Sequence, residues 1–135
     1  MRAISLLQPW ASLVVMGVKT VETRNWGTQY RGDILIHASQ GKAGSIFAND
    51  PPFKKYIPDF KKLPFGAIVG KAIVEDVVPI SNMHLSDELL NRLTMEEKAF
   101  GDYSEGRYAW ILKDFQQFDV PVPARGMLSL WEYPY

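Results

Sequence analysis

Over residues 8–26 the side-chain period changes from that of a helix to that of a strand, and nothing else in the chain limits its fold so tightly. Pro9 fits the first position of a helix, where a missing N–H costs least. Trp10, Leu13, Val14 and Met16 follow at helical spacing, and Gly17 suits the left-handed residue that stops a helix. Two turns cannot stand alone in water, so this helix must lean on a core. From Val18 to Trp26 the period is two, with Val21 and Thr23 on one face and Glu22, Arg24 and Trp26 on the other. A strand that carries those three side chains on one face does more than fill a core.

Further apolar strands are expected at 3–7, 34–38, 66–74, 107–113 and 128–133. Arg31-Gly32-Asp33 reads as a turn before the second of these, and Gly66 and Gly70 mark a bend or a close backbone approach. Residues 40–64, with four prolines and two lysine pairs, read as a loop excursion holding short helical turns. Ser86 starts a helix with Leu89, Leu90 and Leu93 as its buried stripe. Thr94 to Glu97 has the spacing of a capping box, and Phe100-Gly101 ends that helix. Pro121 and Pro123 confine the stretch around them to an edge or a bulge. Strands and helices do not alternate, which disfavours a doubly wound parallel sheet. The expected architecture is α+β but mainly β, a single domain over 1–135. It is a small barrel of about six mixed or antiparallel strands with short helices on its flank.

Fifteen basic and fifteen acidic residues cancel, so any nucleic-acid binding needs a local patch rather than a field over the whole surface. No cysteine is present, which excludes disulfides and thiolate chemistry. The opening residues lack a signal-peptide pattern and no apolar run reaches membrane-spanning length, so the expectation is a cytoplasmic protein without membrane attachment.

The chemistry concentrates at Lys19, Glu22 and Arg24. Two cations beside one carboxylate hold it ionised and leave a net positive spot, suited to a phosphate or the edge of a base. Spacing alone favours the alternative, an internal ion pair fixing strand to helix. Trp10, Trp26, Tyr108 and Trp110 are of the type that stacks on unpaired bases. Trp10 and Trp110 read as core, whereas Trp26 shares a face with Glu22 and Arg24. Arg31, Lys71 and Arg125 are potential additions to a basic patch. His37 reads as a satisfied interior group and His84 as a loop residue; two histidines without a third ligand argue against a metal site. Gly17-Val18-Lys19-Thr20 lacks the upstream glycine of a phosphate loop, no serine sits in a nucleophile elbow, and no cofactor is called for.

Those residues carry a resemblance. Ile4-Ser5-Leu6-Leu7-Gln8-Pro9-Trp10-Ala11-Ser12-Leu13, then Gly17, Lys19, Glu22 and Arg24 in a glycine-x-lysine-x-x-glutamate-x-arginine pattern, resemble the ASCH domain (activating signal cointegrator homology) of the PUA-like barrel group. Trp26, the Arg31-Gly32 turn, Gly101 to Ser104, Gly106 to Trp110, and Arg125-Gly126 with Leu130-Trp131 extend the likeness to bacterial and phage single-domain members. Many bacterial members carry glycine-lysine-glutamine-glycine near the end, where this chain has Gly126-Met127-Leu128-Ser129. The resemblance implies a PUA-like barrel binding single-stranded or modified RNA, or a nucleotide-like ligand. The cleft would be lined by Lys19, Glu22, Arg24 and Trp26, with Gln8, Trp10, Arg31 and Arg125 around them. It also implies an alternative, hydrolysis of an acylated cytidine or of RNA with Lys19 as the catalytic group. In the amidohydrolases of this type a threonine and a later-strand glutamate assist the lysine. Here Glu22 holds the threonine place, with Thr20 and Thr23 near it. The glutamate place falls near Gly70, with Glu75 out of register. Ser39 is a further hydroxyl that ribonuclease action could use. The lysine-, proline- and aromatic-rich loop at 51–65 is the one hint of a protein-interaction module.

Overall fold

A computed structural model describes residues 1–81 and 85–134. His84 lies outside the described residues. The chain forms β1 (Arg2–Leu6), α1 (Trp10–Val15), β2 (Val21–Arg24), β3 (Gly32–Ala38), α2 (Ser45–Ala48) and α3 (Phe53–Tyr56). A 3-10 turn (Phe60–Lys62), β4 (Ala67–Pro79), α4 (Asp87–Arg92), α5 (Met95–Ala99), β5 (Tyr108–Pro123) and β6 (Leu130–Glu132) follow. The six strands make one mixed sheet in the order β2-β5-β4-β3-β1-β6. Among the described residues only β1 and β3 pair in parallel.

The sheet does not close through hydrogen bonds, yet it curls as a barrel does. The β4–β5 register slips at three places and the β3–β4 register at one, and such bulges increase local twist and bend. Gly70 stands at one of them. A Cβ there would lie 2.2 Å from the Gln116 carbonyl oxygen and 2.6 Å from a Val15 methyl, the close approach expected of this glycine. The curl has a measurable result: Arg24 on β2 donates to the Ser5 carbonyl on β1 at 3.4 Å, although three strands separate the two in the sheet.

The main core lies between the sheet and α1. Ile4, Ile34, Ile36, Val69, Val74, Trp110 and Leu112 pack there against Ala11, Val14 and Val15 of α1, which answers the need of so short a helix for support. A second apolar cluster joins Leu13 to Ala48, Phe53, Ile57 and Phe100, so the irregular 40–64 segment is tied down by its own aromatics. Pro121 and Pro123 fall beyond Ile111, the last β5 residue paired with β2, where β5 has β4 alone as neighbour.

Four expectations are corrected. The strand at 18–26 shortens to four residues, because Thr20 and Val21 turn their N–H groups to a carboxylate on α5. Leu90 is 52% exposed; α4 has six residues, and Leu89 is the one it buries. Thr94 accepts from the Glu97 N–H, but the Glu97 side chain leaves the capping box to serve β2. The last strand starts at Leu130, after Ser129 with φ of 58° and an almost fully exposed Leu128. No helix among the described residues is long and apolar enough to cross a membrane.

Candidate functional site

The path into the site starts at the end of α1. Gly17, at φ 75°, lets the helix close with paired bonds, Gly17 N–H to Val14 O at 2.9 Å and Val18 N–H to Leu13 O at 3.1 Å. Lys19 N–H also donates to Leu13 O, at 3.0 Å. This turn points Lys19 inward, where it is wholly buried. Its ammonium donates to the Val21 carbonyl and pairs with Glu22 Oε1 at 3.1 Å. The other Glu22 oxygen faces the Arg24 guanidinium at 3.3 Å. Arg24 in turn lies over the Trp26 ring at 5.6 Å, and Trp26 meets Trp110 edge-on at 4.9 Å. One carboxylate thus orders two cations in the internal ion pair that the spacing favoured.

Glu97 completes the support. Buried on α5, it accepts from Val21 N–H at 2.9 Å and from Thr20 N–H at 3.1 Å, donors of an edge strand that no further strand satisfies. Behind it lies Tyr103, whose hydroxyl is buried without a hydrogen-bond partner among the described residues. Burial first, then the charges of Glu97 and Glu22, push its phenol far above the ordinary value, so it stays neutral.

In front of this scaffold opens a cavity of about 480 Å³, within the range of small-ligand sites. One wall is polar, with Glu22, Arg24, Asp102 and Arg107. The other is aromatic: Trp10 meets Phe47 at 5.3 Å and Phe53 at 6.1 Å, and Phe53 meets Phe100 at 5.1 Å. Arg107 is fixed by bonds to the carbonyls of Asp102 (3.1 Å) and Thr23 (3.2 Å). The Ser104 hydroxyl and N–H, with Arg107 beside them, hold the Asp102 carboxyl below the usual range. On the polar wall Arg24 and Arg107 balance Glu22 and Asp102, with the Lys19 ammonium behind Glu22.

The sequence-expected residues divide accordingly. Glu22, Arg24 and Trp10 line the cavity. Lys19 and Trp26 stand behind Glu22 and Arg24 rather than on its wall. Gln8 is buried and ties α1 to the long loop, through Pro64 O at 2.8 Å and Ser12 N–H at 3.0 Å. Arg31 is turned to Asp76 at 3.1 Å and is not brought to this wall. Arg125 lines a neighbouring cavity. His37 is the satisfied interior group expected of it, between Ser5 Oγ at 3.0 Å and Ala124 O at 2.7 Å. Glu75 faces Arg92 and Lys113, away from Lys19's partners. Among the described residues no group of three or more His, Asp or Glu is placed to hold a metal ion. Phe47, Phe53, Phe100, Asp102 and Arg107 were not singled out from sequence. The Gly106 to Trp110 motif contained Arg107, but nothing local says that its guanidinium returns to β2.

A family model described as the ASCH domain matches residues 4–122. "Activating signal cointegrator 1" is 27% identical in Mus musculus and 26% in Homo sapiens, over 96% of this chain. The chain spans 22% of the length of these curated relatives. Among solved structures, "Crystal structure of ASCH from Zymomonas mobilis" aligns with a TM-score of 0.58 at 19% identity. That alignment covers 98% of this chain and 87% of that one.

Proposed function

The chain belongs to the ASCH domain family, and from that premise we propose that it binds single-stranded or modified RNA, or a nucleotide-like ligand. The cavity in front of Glu22 is the binding place. One observation carries this reading: two guanidiniums, Arg24 and Arg107, line the same cavity as a cluster of aromatic rings. A base against the rings and a phosphate against an arginine use both walls, and both interactions are indifferent to duplex grooves. Lys19 holds Glu22, and Glu22 aims Arg24; both are positioning residues. The expected compartment remains the cytoplasm.

Hydrolysis through Lys19 has less support. Its ammonium is enclosed behind Glu22, Gly70 abuts Val15 and Gln116, and Glu75 pairs elsewhere. In the 51–65 loop Phe53 and Ile57 are buried while Lys54, Lys55, Lys61 and Lys62 are exposed, so a protein-interaction role there would rest on the lysines.

The test is a low-salt fluorescence-anisotropy titration of a short single-stranded oligoribonucleotide against the intact protein, Arg24→Ala and Arg107→Ala. Each substitution is expected to weaken binding about tenfold, the loss of one charge-assisted contact. Affinities unchanged by both substitutions would discard the reading.

A further inference from the structure

A second cavity, of about 720 Å³, opens beside the first, and the two share Ser5, Arg24 and Ser39 on their walls. Its character differs. Arg125 and residues 126–129 line it together with His37 and Gln40, and the aromatic rings of the first cavity are not among its lining residues.

The shared wall is built with care. The Ala124 carbonyl can only accept, so His37 Nε2 carries the proton, at 2.7 Å. In the neutral ring His37 Nδ1 is then the acceptor, and the Ser5 hydroxyl donates to it at 3.0 Å. Trp131 Nε1–H donates to the same Ser5 oxygen at 3.3 Å. Ser5 Oγ is left with one open lone pair and no proton to offer; at the junction it is an acceptor only. Gly126 closes against this pair: a Cβ there would lie 2.6 Å from His37 Cε1 and 2.7 Å from Ser5 Oγ. Beside Ser5 stands Arg24, whose guanidinium is held by Glu22 and the Ser5 carbonyl.

We propose that the second cavity is a subsite for the adjoining nucleotide. The bridging phosphate would sit on Arg24, a ribose hydroxyl would donate to Ser5 Oγ, and Arg125 would face the far nucleotide. The order of chemistries supports this: rings for a base, then a guanidinium for the linking anion, then an acceptor for a hydroxyl, then a roomier chamber lined by Arg125 and Gln40. The claim rests on the nucleotide-binding reading of the first cavity, and the ligands are chosen to separate the two.

Calorimetric titrations would compare the four nucleoside 5′-monophosphates with the sixteen dinucleoside monophosphates, in ribo and 2′-deoxy form, at one low ionic strength. The best ribo-dinucleotide is expected to bind about tenfold tighter than the best mononucleotide, although it carries less negative charge. Arg125→Ala should remove most of that ratio and Arg125→Lys should restore part of it. Equal affinities for the two ligand sizes overturn the second subsite and leave the first reading standing. Binding of neither size overturns both. A dinucleotide advantage that survives Arg125→Ala overturns the subsite as drawn, and equal binding of ribo and deoxy forms overturns the Ser5 contact.

Discussion

Glu22 is held at 3.1 Å from a Lys19 ammonium that has 1% of its side chain exposed, and at 3.3 Å from an Arg24 guanidinium that water still reaches. These two pairs are not energetically alike. An ion pair at the surface contributes about 0–1 kcal/mol, whereas removing one partner of a buried pair costs about 3–5 kcal/mol, since it leaves a charge without compensation. Glu22→Gln leaves the Lys19 ammonium without a counter-charge, with neutral carbonyl oxygens as its acceptors. It is therefore expected to destabilise the fold by about 3 kcal/mol. Lys19→Met keeps the volume and removes the charge, and should cost less than Glu22→Gln. Arg24→Ala should cost under about 1 kcal/mol. Urea midpoints of the three variants decide this; a Glu22→Gln midpoint no lower than that of Arg24→Ala would mean that Lys19 does not depend on Glu22. For the same reason Lys19→Ala is a poor probe of binding, because it mixes folding with recognition.

Among the elements, α5 and β2 are coupled through one side chain. β2 is an edge strand, and Glu97 meets its two leading N–H groups where a neighbouring strand would otherwise be needed. Glu97→Ala leaves Thr20 and Val21 without that acceptor, at a cost of about 3 kcal/mol for two bonds to a charged group. Amide hydrogen exchange gives a direct reading. Protection at Thr20 and Val21 should fall by far more than at Ile34 or Ile36 in the core; uniform loss across all four would show general destabilisation and no specific anchor. The turn at 17–20 positions Lys19, so the same variant should weaken RNA binding without touching the cavity wall. Element-scale reading of the sequence succeeded where partners are local. The Gly17 stop of α1 and the Ser86 and Thr94 caps are local events, settled within five residues. It failed at Leu90, since a helix of six residues does not carry a full buried stripe.

At the scale of the molecule, zero formal charge removes long-range attraction, and what remains is the local pull of Arg24 and Arg107 on a cavity wall whose two carboxylates balance them. RNA held there by one or two phosphates should show a log–log salt slope between about −0.7 and −1.4, the single-strand value per phosphate. A titration across a tenfold range of salt measures it. A slope steeper than about −3 would mean that surface lysines such as those of 54–62, rather than Arg24 and Arg107, carry the contact.

The short helix, its glycine stop, the alternation of Val21 and Thr23 against Glu22 and Arg24, and the six strands were all determined by residue order. Hydrophobic period, a positive-φ position and strand alternation act over a few neighbours, and the glycine-x-lysine-x-x-glutamate-x-arginine pattern lies wholly inside that range. The cavity itself was decided only by tertiary structure. Phe47, Phe53 and Phe100 reach Trp10 because an irregular segment folds back over α1, and Arg107 reaches Thr23 because β5 lies against β2. Arg24 meets Ser5 across three intervening strands because bulges curl the sheet. A bulge is a sum of small register slips, and where several of them bring two distant strands depends on packing across the whole sheet, which no local pattern encodes.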